Sequence, residues 1–102
     1  MRNQMRPVHP GEVLREEFLV PLGMSASALA VELGVPANRT TLLVREARGV
    51  TADTALRLAR YFGTTPEFWL GLQSTYDLRV AEQAIGAAIR KAVRPMRMAK
   101  AG

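Results

Sequence analysis

ELGVPANRTTLLVREARGVT, residues 32–51, is the stretch whose reading decides the fold. Gly34 can close a helix by taking a left-handed backbone. Val35 fills the turn, and Pro36 can open the next helix, because its missing N–H would have no partner there. A connection of about three residues forces the two helices to cross steeply. Ala30, four residues before Gly34, is small enough to let them approach closely. Leu29, Leu33, Val35 and Leu43 are spaced to hold the pair on a core. The pattern predicts a helix–turn–helix unit.

Such a unit offers a DNA-reading face. Ala37, Asn38 and Arg39 fall in the first exposed turn of the second helix, with Thr41 further along. Major-groove readers place side chains there because the helix N-terminus reaches base edges. Asn pairs bidentately with adenine and Arg with guanine. Arg45 and Arg48, at the far end, suit phosphates, and Ser25 and Ser27, at the start of the preceding helix, complete the candidate DNA contacts. Two residues depart from the expected pattern. Leu42 stands where a polar side chain is usual, although it can touch a thymine methyl. Glu46 stands where a tight turn prefers glycine. The competing structural reading is a plain helical hairpin inside a bundle.

Outward from this unit the chain reads as helix throughout. Pro10 can occupy a first helical position, with Glu12 where the helix dipole favours a carboxylate. Leu14, Phe18 and Leu22 recur every four residues and predict one inward face, stopped by Pro21 and Gly23. Ser25 is an N-cap for ASALAVEL. Thr51 caps ADTALRLARYF, where Ala55, Leu58, Ala59 and Phe62 share a face, and Gly63 closes it. Thr65 caps a last helix that begins at Pro66. It can continue through an apolar stripe of Ala81, Ile85, Ala88 and Ala92 to about Arg94, before Pro95. Trp69, Leu72 and Tyr76 share another face, with core packing the better reading for the first two. No segment alternates long enough for a strand.

Composition narrows the function. The chain has 102 residues, 48% of them hydrophobic, and no cysteine, so one globular core is expected and neither a disulfide framework nor a thiolate metal site. No stretch approaches the ~20 apolar residues of a membrane span and no signal segment opens the chain. A cytoplasmic protein with no membrane partner, no metal and no cofactor is expected. Net charge is +5, yet acids and bases balance over residues 1–78. The excess lies in Arg79, Arg90, Lys91, Arg94, Arg97 and Lys100 against Glu82. Residues 1–94 are therefore read as one helix–turn–helix domain with a C-terminal helix, and 95–102 as a flexible basic tail. That tail is either an arm for DNA or a protein partner, or a soluble end. Catalysis finds little support. His9, the single histidine, precedes Pro10 and reads as a helix-entry residue, and Glu12, Glu16 and Glu17 lie on what reads as an exposed helix.

RPVHPGEVLREEFLVPLGMS (6–25) and GVTADTALRLARYFGTTPEFWLGLQSTYDL (49–78) flank the reading unit. Together they resemble the HigA/VapI-type antitoxins of the Xre (Cro/C1-type) helix–turn–helix superfamily, over roughly residues 6–82. The resemblance implies an all-α, compact five-helix, lambda-repressor-like domain with a C-terminal helical extension. It also implies a homodimer that represses its own promoter and neutralises a RelE-like toxin that cleaves RNA on ribosomes. Pro36, Arg39, Leu43, Val44, Arg48 and Gly49 match the family pattern. Thr40 replaces its usual isoleucine or valine, Leu42 its polar residue and Glu46 its glycine. The partners implied are operator DNA, the toxin and a second copy of the chain. The alternatives are a regulator of this superfamily without a toxin, or an interaction module with weakened DNA binding. For the toxin, the candidate surface is acidic. Glu12, Glu16, Glu17 and Glu32 outnumber Arg15 over residues 11–32, and an acidic face would steer a basic RNA-cleaving protein.

Overall fold

The computed structural model describes residues 6–97, and among these the chain forms five helices and no strand. Lys100 and the rest of 98–102, counted with the tail above, lie outside the described residues.

Helix α1 covers residues 10–22 as one rod in three continuous pieces: Pro10–Val13, a π-helical stretch Leu14–Leu19, and Val20–Leu22. His9 caps it, its Nδ1 accepting the Gly11 N–H at 2.9 Å. Through the π stretch the Val20 N–H bonds the Arg15 carbonyl, five residues back. This corrects the expected four-residue face. Leu14 and Leu19 are buried, Phe18 is half-buried, and Leu22 is 60% exposed. The wide turn puts residues five apart on the core side. Pro21 supplies a cause: in a straight α-helix its ring would strike the Glu17 carbonyl and deny it a donor. A wide turn placed before Pro21 relieves that conflict.

Helix α2, Ala26–Leu33, starts on Ser25, whose hydroxyl accepts the Ala28 N–H at 3.0 Å. Gly34, at φ 71°, ends it. Helix α3, Ala37–Val44, begins one residue later than expected. Pro36 is its N-cap, with an extended ψ of 148°, and not its first helical residue. Helix α4, Ala52–Phe62, is capped by Thr51, and helix α5, Pro66–Ala92, by Thr65. Helix α5 stops at Ala92 rather than at Arg94, because Val93 is already extended.

Leu14, Leu29, Leu43, Leu58 and Trp69 are fully buried and form the centre of the core, where α1, α2, α3, α4 and the first half of α5 meet. Trp69 brings an N–H into this apolar site, and Thr64 Oγ1 accepts it at 2.8 Å. The Phe18 ring tilts against the indole at 5.2 Å between centroids. The second half of α5 behaves differently. Leu78 is 68% exposed, Ile85 and Ile89 are about half exposed, and Ala81, Ala88 and Ala92 are exposed, so the expected apolar stripe is left uncovered by the described residues. No described helix is long and apolar enough to cross a membrane.

Candidate nucleic-acid interface

The anchoring of α3 explains which of its residues face outward. Thr40 is fully buried, and its hydroxyl donates to the Ala26 carbonyl at 2.7 Å and to the Ala37 carbonyl at 3.1 Å. The residue that departs from an aliphatic pattern thus ties α3 to the first turn of α2. A buried hydroxyl without such partners would be destabilising. The bond brings Ser25 and Ser27 alongside α3, both exposed, although the Ser25 hydroxyl is already used as a cap. With Thr40 and Leu43 turned inward, Ala37 and Asn38 are exposed, and Arg39, Thr41 and Leu42 are half-buried. Leu42 therefore lies partly against the fold, where an apolar side chain is at home.

Arg39 is held. Its Nη1 donates to Asp53 Oδ1 at 2.6 Å, reaching from α3 to the first turn of α4. The same oxygen accepts from Arg57 Nε at 2.7 Å. Arg57 in turn donates through Nη1 to the Leu33 carbonyl, at the end of α2, at 2.8 Å. Hydrogen bonds from Arg57 and then Arg39 hold the Asp53 carboxyl below the usual carboxylate range. The i, i+4 spacing of Asp53 and Arg57 was visible in the sequence. The reach of Arg39 to Asp53 and of Arg57 to Leu33 was not, because it depends on how three helices cross.

Glu46 takes the left-handed backbone, at φ 63°, without being glycine. Its N–H bonds the Leu43 carbonyl at 2.9 Å, and the Ala47 N–H bonds Leu42 at 2.9 Å. That is the complete pair of bonds that closes a helix on a left-handed residue. Arg15 of α1 completes the end of α3: its Nη1 donates to the Val44 carbonyl and its Nη2 lies 3.6 Å from the Glu46 carboxylate. Gly11 packs so closely that a Cβ there would lie 1.8 Å from the Leu43 carbonyl oxygen. Arg45 and Arg48 follow, both exposed, and neither is paired with an acid among the described residues. Gly49 is not a left-handed turn glycine. It makes room for Gln73, whose Oε1 accepts the Val50 N–H at 2.7 Å.

The acids of α1 do not form the uniform face expected from a regular helix. Glu12 is half-buried and holds Arg6 through both oxygens, at 2.9 and 3.1 Å. Glu16 pairs with Arg15 at 2.9 Å, and Glu17 is exposed. The π stretch between them breaks the four-residue register. His9 is buried, with its Nδ1 committed to Gly11 and its ring edge-on to Tyr76 at 4.7 Å. Among the described residues no group of acids and histidine is placed to hold a metal ion.

Comparison with known proteins gives a consistent set of likenesses. No protein-family model matches the chain. Virulence-associated protein I of Dichelobacter nodosus is 57% identical over 82 residues, covering 80% of this chain and 76% of that protein. Antitoxin HigA-1 of Vibrio cholerae is 45% identical over 78 residues, 76% of this chain and 72% of that one. The structure of Pseudomonas aeruginosa antitoxin HigA with the higBA promoter superposes with a TM-score of 0.87 at 48% identity, covering 89% of this chain and 99% of that one.

Proposed function

This chain belongs to the HigA antitoxins of the Xre-like helix–turn–helix proteins, and on that premise we propose that it is a dimeric DNA-binding antitoxin that represses its own promoter. The observation that carries the reading is the orientation of α3. Thr40 and Leu43 fix its buried side, and Ala37 and Asn38 stand exposed at its N-terminal end. Asn38, Arg39 and Thr41 read base edges in the major groove, with Ala37 and Leu42 lining the contact. Ser25, Ser27, Arg45 and Arg48 flank them on phosphates. The departures at Thr40, Leu42 and Glu46 are compatible with this role. One adds a buried bond, one is partly covered, and one closes the helix with its full set of bonds.

Two reading helices one DNA turn apart need a two-fold dimer. The exposed Leu78, Ile85 and Ile89 on the free half of α5 are the self-complementary surface proposed for it. Residues 1–94 act as the binding domain, with the basic residues beyond it as an accessory segment, in the cytoplasm where DNA is reached. The toxin proposed is a RelE-like RNA-cleaving protein. Glu16 and Glu17 are the acidic contacts favoured, and Glu12 is secondary because it is engaged by Arg6.

The test is equilibrium binding to a duplex of the chain's own promoter region against a scrambled duplex at the same salt. Specific binding is expected in the wild type. Arg39→Ala should lose about 1–3 kcal/mol at one base pair. Equal affinity of the wild type for both duplexes refutes the reading.

A further inference from the structure

Resting on the reading that α3 contacts base edges, we infer that Asp53 is a positioning residue. Its carboxylate aims Arg39 at a base, so part of the sequence specificity is set from α4, outside the helix–turn–helix unit.

The geometry is that of a braced side chain. A single oxygen, Asp53 Oδ1, receives Arg39 Nη1 at 2.6 Å and Arg57 Nε at 2.7 Å. The carboxylate is itself braced, because Arg57 also holds the Leu33 carbonyl at 2.8 Å. A chain of contacts therefore runs from the end of α2, through α4, to the start of α3. Arginine has many rotamers, and ordering it only on binding would weaken the contact it makes. Here that ordering is in place before DNA arrives. The Asp53 contact uses one terminal nitrogen of Arg39. The Nε–Nη2 edge makes no contact among the described residues and matches the paired acceptors O6 and N7 of guanine.

The carboxylate has a second effect. A negative charge beside Arg39 opposes a phosphate in the same place more strongly than it opposes a neutral base edge. Asp53 therefore biases Arg39 away from the DNA backbone, towards the contact that carries sequence information. Exposed ion pairs contribute little to stability, and the Asp53 side chain is 55% exposed, so its removal should leave the fold intact.

The experiment measures affinity of the full chain by fluorescence anisotropy, across a salt series. The duplexes are the promoter, promoters changed at one base pair, and a scrambled sequence. The proteins are wild type, Asp53→Asn, Asp53→Glu, Arg39→Ala and the double variant Arg39→Ala with Asp53→Asn. For Asp53→Asn the promoter-to-scrambled ratio should fall about tenfold, with preference lost at one base pair. Its scrambled-duplex affinity should hold or rise, with the slope of log affinity against log salt steeper by about one, as Arg39 moves to a phosphate. Asp53→Glu keeps the charge but shifts it by a methylene, so the ratio should fall with the salt slope unchanged. In the Arg39→Ala background Asp53→Asn should lower the ratio no further, which a merely structural role would not predict.

Wild-type discrimination in Asp53→Asn while Arg39→Ala loses it overturns the inference and leaves the DNA-reading function standing. Full discrimination in Asp53→Glu points to net charge rather than aim and also overturns it. So does tighter promoter binding by Asp53→Asn with its ratio kept, which would make Asp53 a restraint. A further loss in the double variant shows that Asp53 acts through something other than Arg39. No discrimination in the wild type overturns both this inference and the function it rests on.

Discussion

The ends of α2 and α3 are built from the same bonds on different residues. At the end of α2, Gly34 sits at φ 71°, the Val35 N–H returns to Ala30 at 3.0 Å, and Arg57 arrives from α4 to take the Leu33 carbonyl. At the end of α3, Glu46 sits at φ 63°, the Ala47 N–H returns to Leu42 at 2.9 Å, and Arg15 arrives from α1 to take the Val44 carbonyl. Each end thus has a left-handed residue, a returning amide and an arginine from another helix. One uses glycine and the other does not. The left-handed backbone costs a residue with a Cβ roughly 1–2 kcal/mol. At Glu46 that cost is offset only in part by surroundings: the arginine that caps the helix also meets the Glu46 carboxylate, and Gly11 holds α1 against the same turn. A left-handed position therefore demands a backbone shape, and glycine is one way to meet it.

Four measurements break or sharpen this comparison, the largest effect first. Gly11→Ala removes the close approach that supports the end of α3, since the new Cβ would overlap a backbone oxygen that cannot rotate away. Chemical denaturation should show a loss of about 3 kcal/mol. A variant as stable as wild type means that α1 does not brace α3 there. Gly34→Ala puts a Cβ on the left-handed residue of the other end, where the nearest heavy atom is Arg57 Nη1 at 3.6 Å and no carboxylate is gained in return. A loss of about 1–2 kcal/mol is expected in the same assay. If Gly34→Glu proves no worse than wild type, the two ends are more alike than their surroundings indicate.

Glu46→Gly runs the comparison backwards. It relieves the strained backbone and gives up a partly exposed pair of low value, so a gain of about 0.5–1 kcal/mol is expected. A measured loss would mean that the Arg15 pair contributes more than exposed pairs ordinarily do. The smallest effect is set by pH. Burial holds the His9 imidazole below its ordinary value, and its Nδ1 accepts an N–H, so the folded state keeps it neutral. The unfolded chain binds that proton more readily. The contribution is thus fully present above about pH 6.5 and is lost as pH falls below it. Because His9 caps the helix that braces α3, protection from hydrogen exchange, taken relative to the intrinsic rate at each pH, should fall at the Ala47 amide more than at Val35 on acidification. An equal fall in protection at both would separate His9 from this difference.

Much of this architecture was legible in the sequence because local signals carried it. Ser25, Thr51 and Thr65 cap the helices they were expected to cap, and the buried faces of α2 and α4 follow their spacing. The inward face of α1 misled, because a four-residue period presumes an α-helix and Pro21 lies beside a π stretch. The candidate site divided in the same way. The exposure of Ala37 and Asn38 was readable from periodicity. The hold of Asp53 on Arg39, the bond of Thr40 to the Ala26 carbonyl and the reach of Arg15 all join residues at least fourteen apart, beyond any local pattern. Thr40 and Glu46 were legible in the sequence only as departures from the family pattern, since the partners that accommodate them are supplied by other helices.

Trp69 is the chain's one tryptophan, fully buried and donating to Thr64. Its fluorescence therefore carries a single, unmixed signal from the point where α5 enters the core. With excitation at the red edge that spares Tyr61 and Tyr76, emission should sit towards the blue in the folded protein and shift red on unfolding, with no correction for a second indole. The reading helix and the free half of α5 lie apart from it in the chain and contribute no indole. An intrinsic signal that stays constant while an external label on DNA reports binding would then show that the core is undisturbed by the event at the surface.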